Sequence, residues 1–556
     1  MDNAQSPLKR LQRLIKLERE DIGILITYGI GIGILSLATP VAVQALVNTI
    51  AFGAMFQPLL VLTLILLVLL GFSNSLVALQ FYVVEMLQRR VFVRIFGETA
   101  ARLQQTRYAT HKDYHLPELT NRFFDVVTLQ KTTSVMLLET LGYALQTLIG
   151  MVLLAFYHPL LLAFDLFFVC TLAFILFGMG KNGLTSAIEQ SKAKYKAAAW
   201  LEDIASNQIL TKSSENRAFL DAQTDQIAQN YVEASTAHFK VLSGQNIGAL
   251  ILHTLANTLL LGMGGWMVIS NQLSLGQLIA AELVVGAMIY GLTRLGKTLD
   301  NFYDMLASVD KLGYLLDLPQ EKHQGGTPEH LDEPYGLDIE NLSLPGGIHV
   351  DTLHNISLQL APGERLVISE GIDKGSLLDI IYGLRKPSSG HVYLDGQDLR
   401  DLNLGQLRNN VSLVREVEIF TGTLLDNIRL GRELCLKEVR QILVLVGLDD
   451  TIAELPDSLE TFLLPNGAPL THEQCLRLTL ARALIGRPRL LLLDNVLDQI
   501  DNRVLPTVLD GILAQHTPWT LLVTSQRADI IARFDRHIKI VNGHLVISNP
   551  ASQGVS

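Results

Sequence analysis

Residues 365–380 read RLVISEGIDKGSLLDI: an apolar run, a short turn around Gly371 and Lys374, and a second apolar stretch. The first part favours a buried β-strand and the last an α-helix, so the stretch predicts a strand, a loop and a helix in succession. Candidate strands are 365–369, 391–394, 411–414, 489–494, 520–524 and 537–541, alternating with helical stretches. This alternation predicts an α/β domain over 337–548, followed by a short tail at 549–556.

The sequence changes character upstream of this domain. Residues 319–336 read PQEKHQGGTPEHLDEPYG, which are polar and rich in Pro and Gly, as is typical of a linker. Between Asp21 and Glu85 the chain carries no Asp, Glu, Lys or Arg, and two later stretches, 141–180 and 241–293, carry one charged residue each. Each stretch is long enough for two bilayer crossings. We therefore predict an all-α transmembrane domain over 1–318, with spans near 22–48, 59–84, 133–156, 160–180, 246–269 and 277–296.

Basic residues indicate the orientation of these spans. Five Lys or Arg residues precede the first span and seven lie in 85–130, whereas the turns inside the three apolar stretches have none. By the positive-inside rule both termini face the cytoplasm. Segments 85–130 and 181–245 have helical periodicity, so we expect helices that continue well beyond the bilayer.

Composition excludes several other classes. The 556 residues are 49% hydrophobic and only 18% charged, and the formal charge of −10 provides no basic field for nucleic acid. Cys170, Cys435 and Cys475 lie far apart, which excludes a disulfide framework and a thiolate zinc site of the usual spacing.

A literal phosphate-loop pattern, GxxxxGK[ST], occurs at 291–298, where the last span ends. No strand precedes it and the apolar period continues through it. We interpret it as part of one continuous helix leaving the bilayer.

The order of motifs in the second half resembles the ABC transporter family. The motifs are HNISLQLAPGERLVIS (354–369), GLRKPSSGHVYLDGQDLRDL (383–402), EIFTGTLLDNI (418–428), LTLARALIGRPRLLLLDN (478–495) and VTSQRADIIARFDRHIKIVNGHL (523–545). Six spans followed by one such domain resemble an exporter-type half-transporter, most like bacterial type I secretion and peptide exporters. The short segment before the first span leads us to expect no N-terminal peptidase domain. The resemblance implies ATP and Mg²⁺ as cofactors.

Several positions depart from the family pattern of the phosphate loop. Gly371 and Lys374 are in register, but Asp373 replaces the glycine before the lysine, and Gly375 stands where a hydroxyl residue is expected, with Ser376 one position later. A carboxylate about 4 Å from a phosphate would cost roughly 1 to 4 kcal/mol. We therefore expect ATP binding to be weak or absent, with Ser376 and Asp494 as weak Mg²⁺ candidates.

The remaining motifs depart in the same direction. Matched one at a time, the family's glutamine falls on Arg415, its general base on Asn495 and its switch histidine on Gln526. An amide cannot accept a proton from water at neutral pH, so Asn495 cannot act as the base. The signature LSGGQ, which has lost both glycines, corresponds to Leu470, Thr471, His472, Glu473 and Gln474.

The surviving residues each allow two interpretations. Lys374 is either a vestigial phosphate ligand or a solvated lysine paired with Asp373, and Asp494 either binds metal or is a structural acceptor at a strand end. Arg415 and Glu473 are either solvated or form new ionic contacts that hold the domain without ATP.

Two ionisable residues lie within the predicted spans. Glu282 is a candidate for the substrate pathway, because an intramembrane charge faces the bundle interior or water. Asp165 lies near a span end, where snorkelling is the simpler account.

The predicted spans indicate a multi-pass membrane protein. The resemblance implies that it lies in the bacterial inner membrane and exports a peptide, protein or other substrate as a homodimer or heterodimer, and the altered motifs predict an inactive ATPase site of its own. The resemblance also implies a periplasmic adaptor as a partner. The alternatives are a pseudo-ATPase subunit, structural or regulatory, that pairs with a competent half-transporter, and an exporter that uses ATP through an unorthodox set of residues.

Overall fold

The computed structural model describes residues 6–51, 56–108, 116–321, 325–327, 333–344, 353–371 and 374–547. The chain forms two compact units that divide between Gln320 and Glu321. The α-helices of the first unit are α1 (Pro7–Leu17), α2 (Arg19–Ser36), α3 (Ala38–Ala51), α4 (Phe56–Gln104), α5 (Leu116–Thr120), α6 (Asp125–Val135), α7 (Leu141–Tyr157), α8 (Pro159–Ala173), α9 (Gly183–Ser206), α10 (Ser214–Ile269), α11 (Leu275–Thr293) and α12 (Leu295–Leu316).

Six stretches of helix in the described residues are long and apolar enough to cross a membrane. They are Arg19–Thr49, Phe56–Gln104, Leu116–Tyr157, Pro159–Met179, Ser214–Ile269 and Leu275–Leu316. The predicted six-span architecture is confirmed. Helix α4 has 49 residues and α10 has 56, so both continue far beyond the thickness of a bilayer, as the periodicity predicts.

The segment with the literal phosphate-loop pattern is helical on both sides of a break. Helix α11 ends at Thr293, Arg294 adopts φ −99° and ψ 1°, and α12 starts at Leu295. The prediction of one uninterrupted helix was therefore wrong, because the helix is interrupted at Arg294. The segment is not a strand, loop and helix, and Lys297 in it is exposed.

A buried polar contact ties three helices of the first unit together. The Gln245 side chain, fully buried on α10, lies 3.3 Å from the Tyr303 hydroxyl of α12. Its Nε2 also lies 3.3 Å from the carbonyl oxygens of Ile175 and Leu176, in the π-helical turn that directly follows α8. The Tyr303 ring packs next to Gly183, where an added Cβ would collide with it. The close approach of α9 and α12 therefore requires glycine at 183.

Within the described residues, the second unit contains two large sheets and a small one of two strands. Its strands are β1 (Leu337–Leu344), β2 (Leu353–Leu360), β3 (Arg365–Glu370), β4 (Ser389–Leu394), β5 (Gln397–Asp398), β6 (Val411–Val414), β7 (Gly422–Thr423), β8 (Phe462–Leu463), β9 (Leu490–Asp494), β10 (Thr520–Thr524), β11 (Arg536–Val541) and β12 (His544–Ile547). One sheet has the order β2-β1-β4-β5 and is antiparallel. The other has the order β12-β11-β3-β10-β9-β6, with all but β12 parallel.

The helices of this unit pack in two apolar cores that lie on opposite faces of the parallel sheet. They are α13 (Lys374–Ile381), α14 (Leu404–Asn410), α15 (Leu424–Arg429), α16 (Leu436–Leu445), α17 (Asp449–Ala453), α18 (His472–Ile485), α19 (Leu505–Ile512) and α20 (Ala528–Ile531). One core contains β9 side chains such as Leu491 and Leu493 with α18, and the other contains Leu490 and Leu492 with α13. Alternate residues of β9 thus enter opposite cores, which is why this strand is apolar throughout.

Candidate functional site

Four candidate site residues of the second unit lie at or just after the carboxyl ends of parallel strands. Strands β3, β10, β9 and β6 are neighbours and run in the same direction, so their carboxyl ends meet. Gly371 follows β3, and Asp494 ends β9. Arg415 follows β6, and Gln526 lies two residues after β10. Ligands of open α/β sheets bind at this edge.

The phosphate-loop position keeps one glycine for a steric reason. Gly371 has φ +134°, and an added Cβ would lie 2.8 Å from the Ile540 Cβ and carbonyl oxygen. Asp373 lies outside the described residues, so its expected repulsion of phosphate stays a prediction. Gly375 lies in the first turn of α13, where an added Cβ would be 2.9 Å from Asp494 Oδ2 and 3.3 Å from Arg415 Nη2.

Lys374 is buried rather than solvated. It is only 4% exposed, and its ammonium group has no hydrogen-bond partner among the described residues. Burial lowers the pKa of Lys374, although the nearby Asp498 and Asp494 carboxylates oppose that shift. The interpretation as a solvated lysine was therefore wrong.

Arg415 forms the centre of an ion-pair network. Its Nε lies 2.6 Å from Asp494 Oδ2, and its Nη2 lies 2.8 Å from Asp379 Oδ1 and 3.0 Å from the Gly375 carbonyl oxygen. Only 24% of the Arg415 side chain is exposed. Burial acts against its charge, but Asp379 and Asp494 outweigh burial and raise the pKa of Arg415. Arg415 was interpreted either as a solvated side chain or as the source of new ionic contacts, and in the structure it forms the ionic contacts.

Both carboxylate oxygens of Asp494 are engaged by neighbouring side chains. Its Oδ2 pairs with Arg415, while its Oδ1 accepts hydrogen bonds from Thr524 Oγ1 at 2.7 Å and from Asn495 Nδ2 at 3.0 Å. Asn495 has φ +52°, a conformation that asparagine tolerates better than most residues. Asp494 therefore acts in this structure as an acceptor that holds three neighbouring segments.

Ser376, the other candidate metal ligand, is also engaged. Its Oγ accepts a hydrogen bond of 2.6 Å from Arg385 Nη1, and Arg385 Nε lies 3.8 Å from Asp379 Oδ2. Asp379 is 6% exposed and joins Arg415 to Arg385. Asp379 is not among the residues predicted from the sequence, although a lone carboxylate in the apolar run LLDII was a signal that could have found it. Within the described residues no group of three or more His, Cys, Asp or Glu is arranged to hold a metal ion.

The segment at the signature position forms the N-terminal cap of helix α18. Thr471 Oγ1 accepts a hydrogen bond from the backbone of Gln474, and the Gln474 side chain accepts one from the Thr471 backbone at 2.9 Å. This is a capping box, which satisfies two free amides of α18. Glu473 forms an ion pair of 2.7 Å with Arg477 inside the domain, Leu470 is buried and His472 is exposed. The solvated interpretation of Glu473 was therefore wrong.

Gln526 contacts the candidate site through its backbone amide. Its amide donates to Asp498 Oδ2 at 2.9 Å, and the Ser525 hydroxyl donates to Oδ1 of the same carboxylate. Asp498 is thus held by the segment that follows β10.

The two ionisable residues of the membrane spans lie in opposite settings. Glu282 is exposed on α11, on the side away from the buried residues Ala281, Val284 and Val285. Asp165 is only 3% exposed, and neither of its carboxylate oxygens has a hydrogen-bond partner among the described residues. The snorkelling expected for Asp165 was wrong, because the side chain packs inward beside Leu161, Phe164 and Phe168 on the buried side of α8.

These features define a membrane protein whose helical domain is joined to a sheet-based domain of the nucleotide-binding type. Residues 22–290 match the ABC transporter transmembrane region, and residues 353–498 match the ABC transporter domain. The chain belongs to the ABC transporter family. The second match implies ATP, typically with Mg²⁺, as the ligand.

Individual relatives agree with this assignment. An uncharacterized ABC transporter ATP-binding protein of Bacillus subtilis is 26% identical over 353 residues, 63% of this chain and 60% of that protein. The ATP-dependent lipid A-core flippase of Thiobacillus denitrificans is 30% identical over 286 residues, 50% of this chain and 49% of that protein. The alpha-hemolysin translocation ATP-binding protein of Escherichia coli is 28% identical over 319 residues, 56% and 45% respectively. The chain thus spans about half the length of these relatives.

A solved structure supports the fold over nearly the whole chain. A bacterial Atm1-family ABC exporter with ATP bound superposes with a TM-score of 0.83, covering 95% of each chain at 19% identity. At this identity the likeness establishes the fold. The predicted fold class, a helical transmembrane domain followed by an α/β ABC-type domain, is therefore confirmed.

Proposed function

We propose that this protein is a half-transporter that works as a dimer in the export of a substrate across the bacterial inner membrane, and whose own ATPase site is inactive. The domain limits we propose are 1–318 and 337–548, with both termini in the cytoplasm. Six membrane-crossing helices and the exporter-type fold support a transport role. The names of relatives, a lipid A-core flippase and a hemolysin translocator, support export as the direction.

One observation carries the proposal of inactivity. The position of the general base holds Asn495, whose amide donates to Asp494 Oδ1 at 3.0 Å instead of accepting a proton from water. Without an acceptor at this point the attacking water keeps its proton. The residues that could hold Mg²⁺, Ser376 and Asp494, already bind Arg385 and Arg415. The residues present therefore do not fit the metal ion.

The loss of the general base at Asn495 favours a second, related role, in which this chain pairs with a competent half-transporter. In the family each composite site is completed by the signature of the partner, so a homodimer of this chain would have two defective sites. Thr471 uses its hydroxyl and backbone in the capping box of α18, and neither glycine of the family signature is present. A partner with an intact phosphate loop and base would supply the ATP hydrolysis, at a composite site that the altered signature of this chain weakens.

ATP hydrolysis by the purified full-length protein in lipid nanodiscs tests the proposal. We expect Mg-ATP turnover at the background rate, beside an active Atm1-family exporter measured in the same lipids. The double variant Asp373→Gly, Asn495→Glu is an internal comparison, and it too stays inactive as long as Arg415 is present. Steady turnover by the unmodified chain would refute the inactive site and support the unorthodox exporter.

Transport and assembly are measured separately. Mass photometry of the purified 61.4 kDa chain distinguishes a monomer from a homodimer. We expect uptake of substrate into inside-out vesicles, which corresponds to export from the cell, only when a competent half-transporter is present. Uptake by the homodimer alone would remove the pairing role.

A further inference from the structure

Four charged side chains at the edge of the parallel sheet neutralise one another. Asp494 pairs with Arg415 at 2.6 Å, Arg415 with Asp379 at 2.8 Å, and Asp379 with Arg385 at 3.8 Å. The two carboxylates and two guanidinium groups carry no net charge. They link β9, the segment after β6, helix α13 and the segment that follows α13.

We propose that the guanidinium group of Arg415 is a built-in cation that takes the place of the divalent metal ion and excludes it from the domain. The inference deepens the proposed function and rests on it in one respect, the inactive ATPase site. A bound Mg²⁺ needs oxygen lone pairs at about 2.0–2.1 Å in an octahedral arrangement. Asp494 Oδ2 instead accepts the Arg415 N–H, and the lone pairs of Ser376 Oγ face the Arg385 N–H.

A second, independent observation points to the same device. Gly375 replaces the hydroxyl residue expected after the lysine, and its missing side chain leaves room for the guanidinium group. An added Cβ would lie 3.3 Å from Arg415 Nη2 and 2.9 Å from Asp494 Oδ2, while the Gly375 carbonyl accepts a hydrogen bond from Arg415 Nη2. The departures at 375 and 415 therefore form one arrangement, a fixed cation together with the space that it requires.

Asp379 is the anchor of this arrangement. It is buried in α13, whose other side chains include Leu377, Leu378, Ile380 and Ile381, and an isolated carboxylate there would be costly. Arg415 and Arg385 approach it from opposite sides, at Oδ1 and Oδ2 respectively. Removing Arg415 leaves two partly buried carboxylates, Asp379 and Asp494, without the cation they share.

The test is rescue by a divalent cation, carried out without nucleotide. Thermal unfolding of the full-length protein in lipid nanodiscs is followed in EDTA and in millimolar Mn²⁺, and bound Mn²⁺ is counted by electron paramagnetic resonance. We expect the unmodified protein to unfold at the same temperature in both and to bind no Mn²⁺ at this site. The variant Arg415→Gln should unfold about 5 °C lower in EDTA, regain stability in Mn²⁺ and bind one ion per chain.

Two further variants make the result specific. Arg536→Gln removes a comparable ion pair, with Glu364 at 2.6 Å, and should stay insensitive to Mn²⁺. Adding Asp494→Asn to Arg415→Gln should abolish both the bound ion and the rescue.

Two results would overturn the proposal: a Mn²⁺ ion on the unmodified protein that Asp494→Asn removes, or an Arg415→Gln variant that Mn²⁺ neither binds nor stabilises. The first can be read even if Arg415→Gln fails to fold. Neither depends on hydrolysis, so an unexpected ATPase activity would refute the proposed function while leaving this experiment to decide the role of Arg415.

Discussion

The side-chain amide of Asn495 donates a hydrogen bond to the Asp494 carboxylate, with Nδ2 3.0 Å from Oδ1. The same Oδ1 accepts from Thr524 Oγ1, and the Asn495 backbone amide donates to Thr524 Oγ1 at 2.9 Å. Asn495 is thus integrated in a closed set of hydrogen bonds between β9 and β10. A residue in this role stabilises the strand end and is unavailable to a water molecule.

Restoring the general base alone should harm the domain without activating it. Asn495→Glu puts a second carboxylate next to Asp494 and removes a donor, which should cost about 1–3 kcal/mol. We expect a lower unfolding temperature and no ATP hydrolysis above background. Asn495→Gln keeps the amide and serves as the control. Hydrolysis by the glutamate variant would show that the loss of the base alone silences the site.

The capping box at Thr471 should contribute measurably to stability. Thr471→Ala removes the acceptor for the Gln474 amide and should cost about 1 kcal/mol, whereas Thr471→Ser should cost much less. Chemical denaturation of the protein, followed by a probe in the second unit, measures both. Equal stability of the alanine and serine variants would contradict the capping role.

Two glycines of the helical domain should respond oppositely to alanine. Gly183→Ala pushes a methyl group into the buried Tyr303 ring and should cost about 1–3 kcal/mol. Gly97→Ala meets no atom within 4 Å and lies inside α4, so it should be neutral or should stabilise by up to about 1 kcal/mol. Unfolding temperatures in one lipid composition compare the two. A Gly183→Ala variant as stable as Gly97→Ala would contradict the close packing of α9 on α12.

Asp165 should destabilise the helical domain. Both carboxylate oxygens are buried without a hydrogen-bond partner among the described residues, so Asp165→Leu should raise the unfolding temperature. Asp165→Asn, which keeps the polarity, should gain less. If the leucine variant stays folded yet loses export in the vesicle assay, the carboxylate has been retained for transport.

Lys374 should impose a cost that depends on pH. Burial lowers the pKa of Lys374 in the folded protein, so the unfolded chain binds this proton more tightly. The free energy of unfolding therefore increases with pH between the pKa of Lys374 in the folded protein and the ordinary pKa of a lysine. We expect Lys374→Met to raise the unfolding temperature at pH 7, and the gain over the unmodified protein to shrink towards pH 10. Unfolding from pH 7 to 10 measures this, with the exposed Lys297→Met as control. A gain that does not depend on pH would contradict a lysine that is charged and buried at neutral pH.

The fold was predictable from the sequence because its signals are long and periodic. Stretches with one charged residue or none located the six spans, and short apolar runs located β3, β6, β9, β10 and β11 to within one or two residues. The antiparallel strands β1 and β2 were missed, since LDIENLSL and LHNISLQL contain as many polar as apolar residues.

The chemistry of the candidate site was less predictable. Matching to the family pattern located the substituted positions but could not show what the new side chains contact. Arg415 lies 36 positions from Asp379 and 79 from Asp494, and only the parallel order of β3, β9 and β6 brings them together. Burial of Lys374 and Asp165 likewise depends on packing between elements distant in the chain.

The 56-residue helix α10 runs without a break from Ser214 to Ile269. At 1.5 Å per residue it is a rod about 84 Å long, of which about 30 Å suffices to cross the hydrocarbon layer. A tilt of about 5° at the membrane end would move the far end by about 7 Å, by the geometry of a rigid helix. Because α10 has no hinge to absorb such a rotation, it acts as a lever that converts a small rearrangement among the spans into a large displacement at its other end, and equally the reverse.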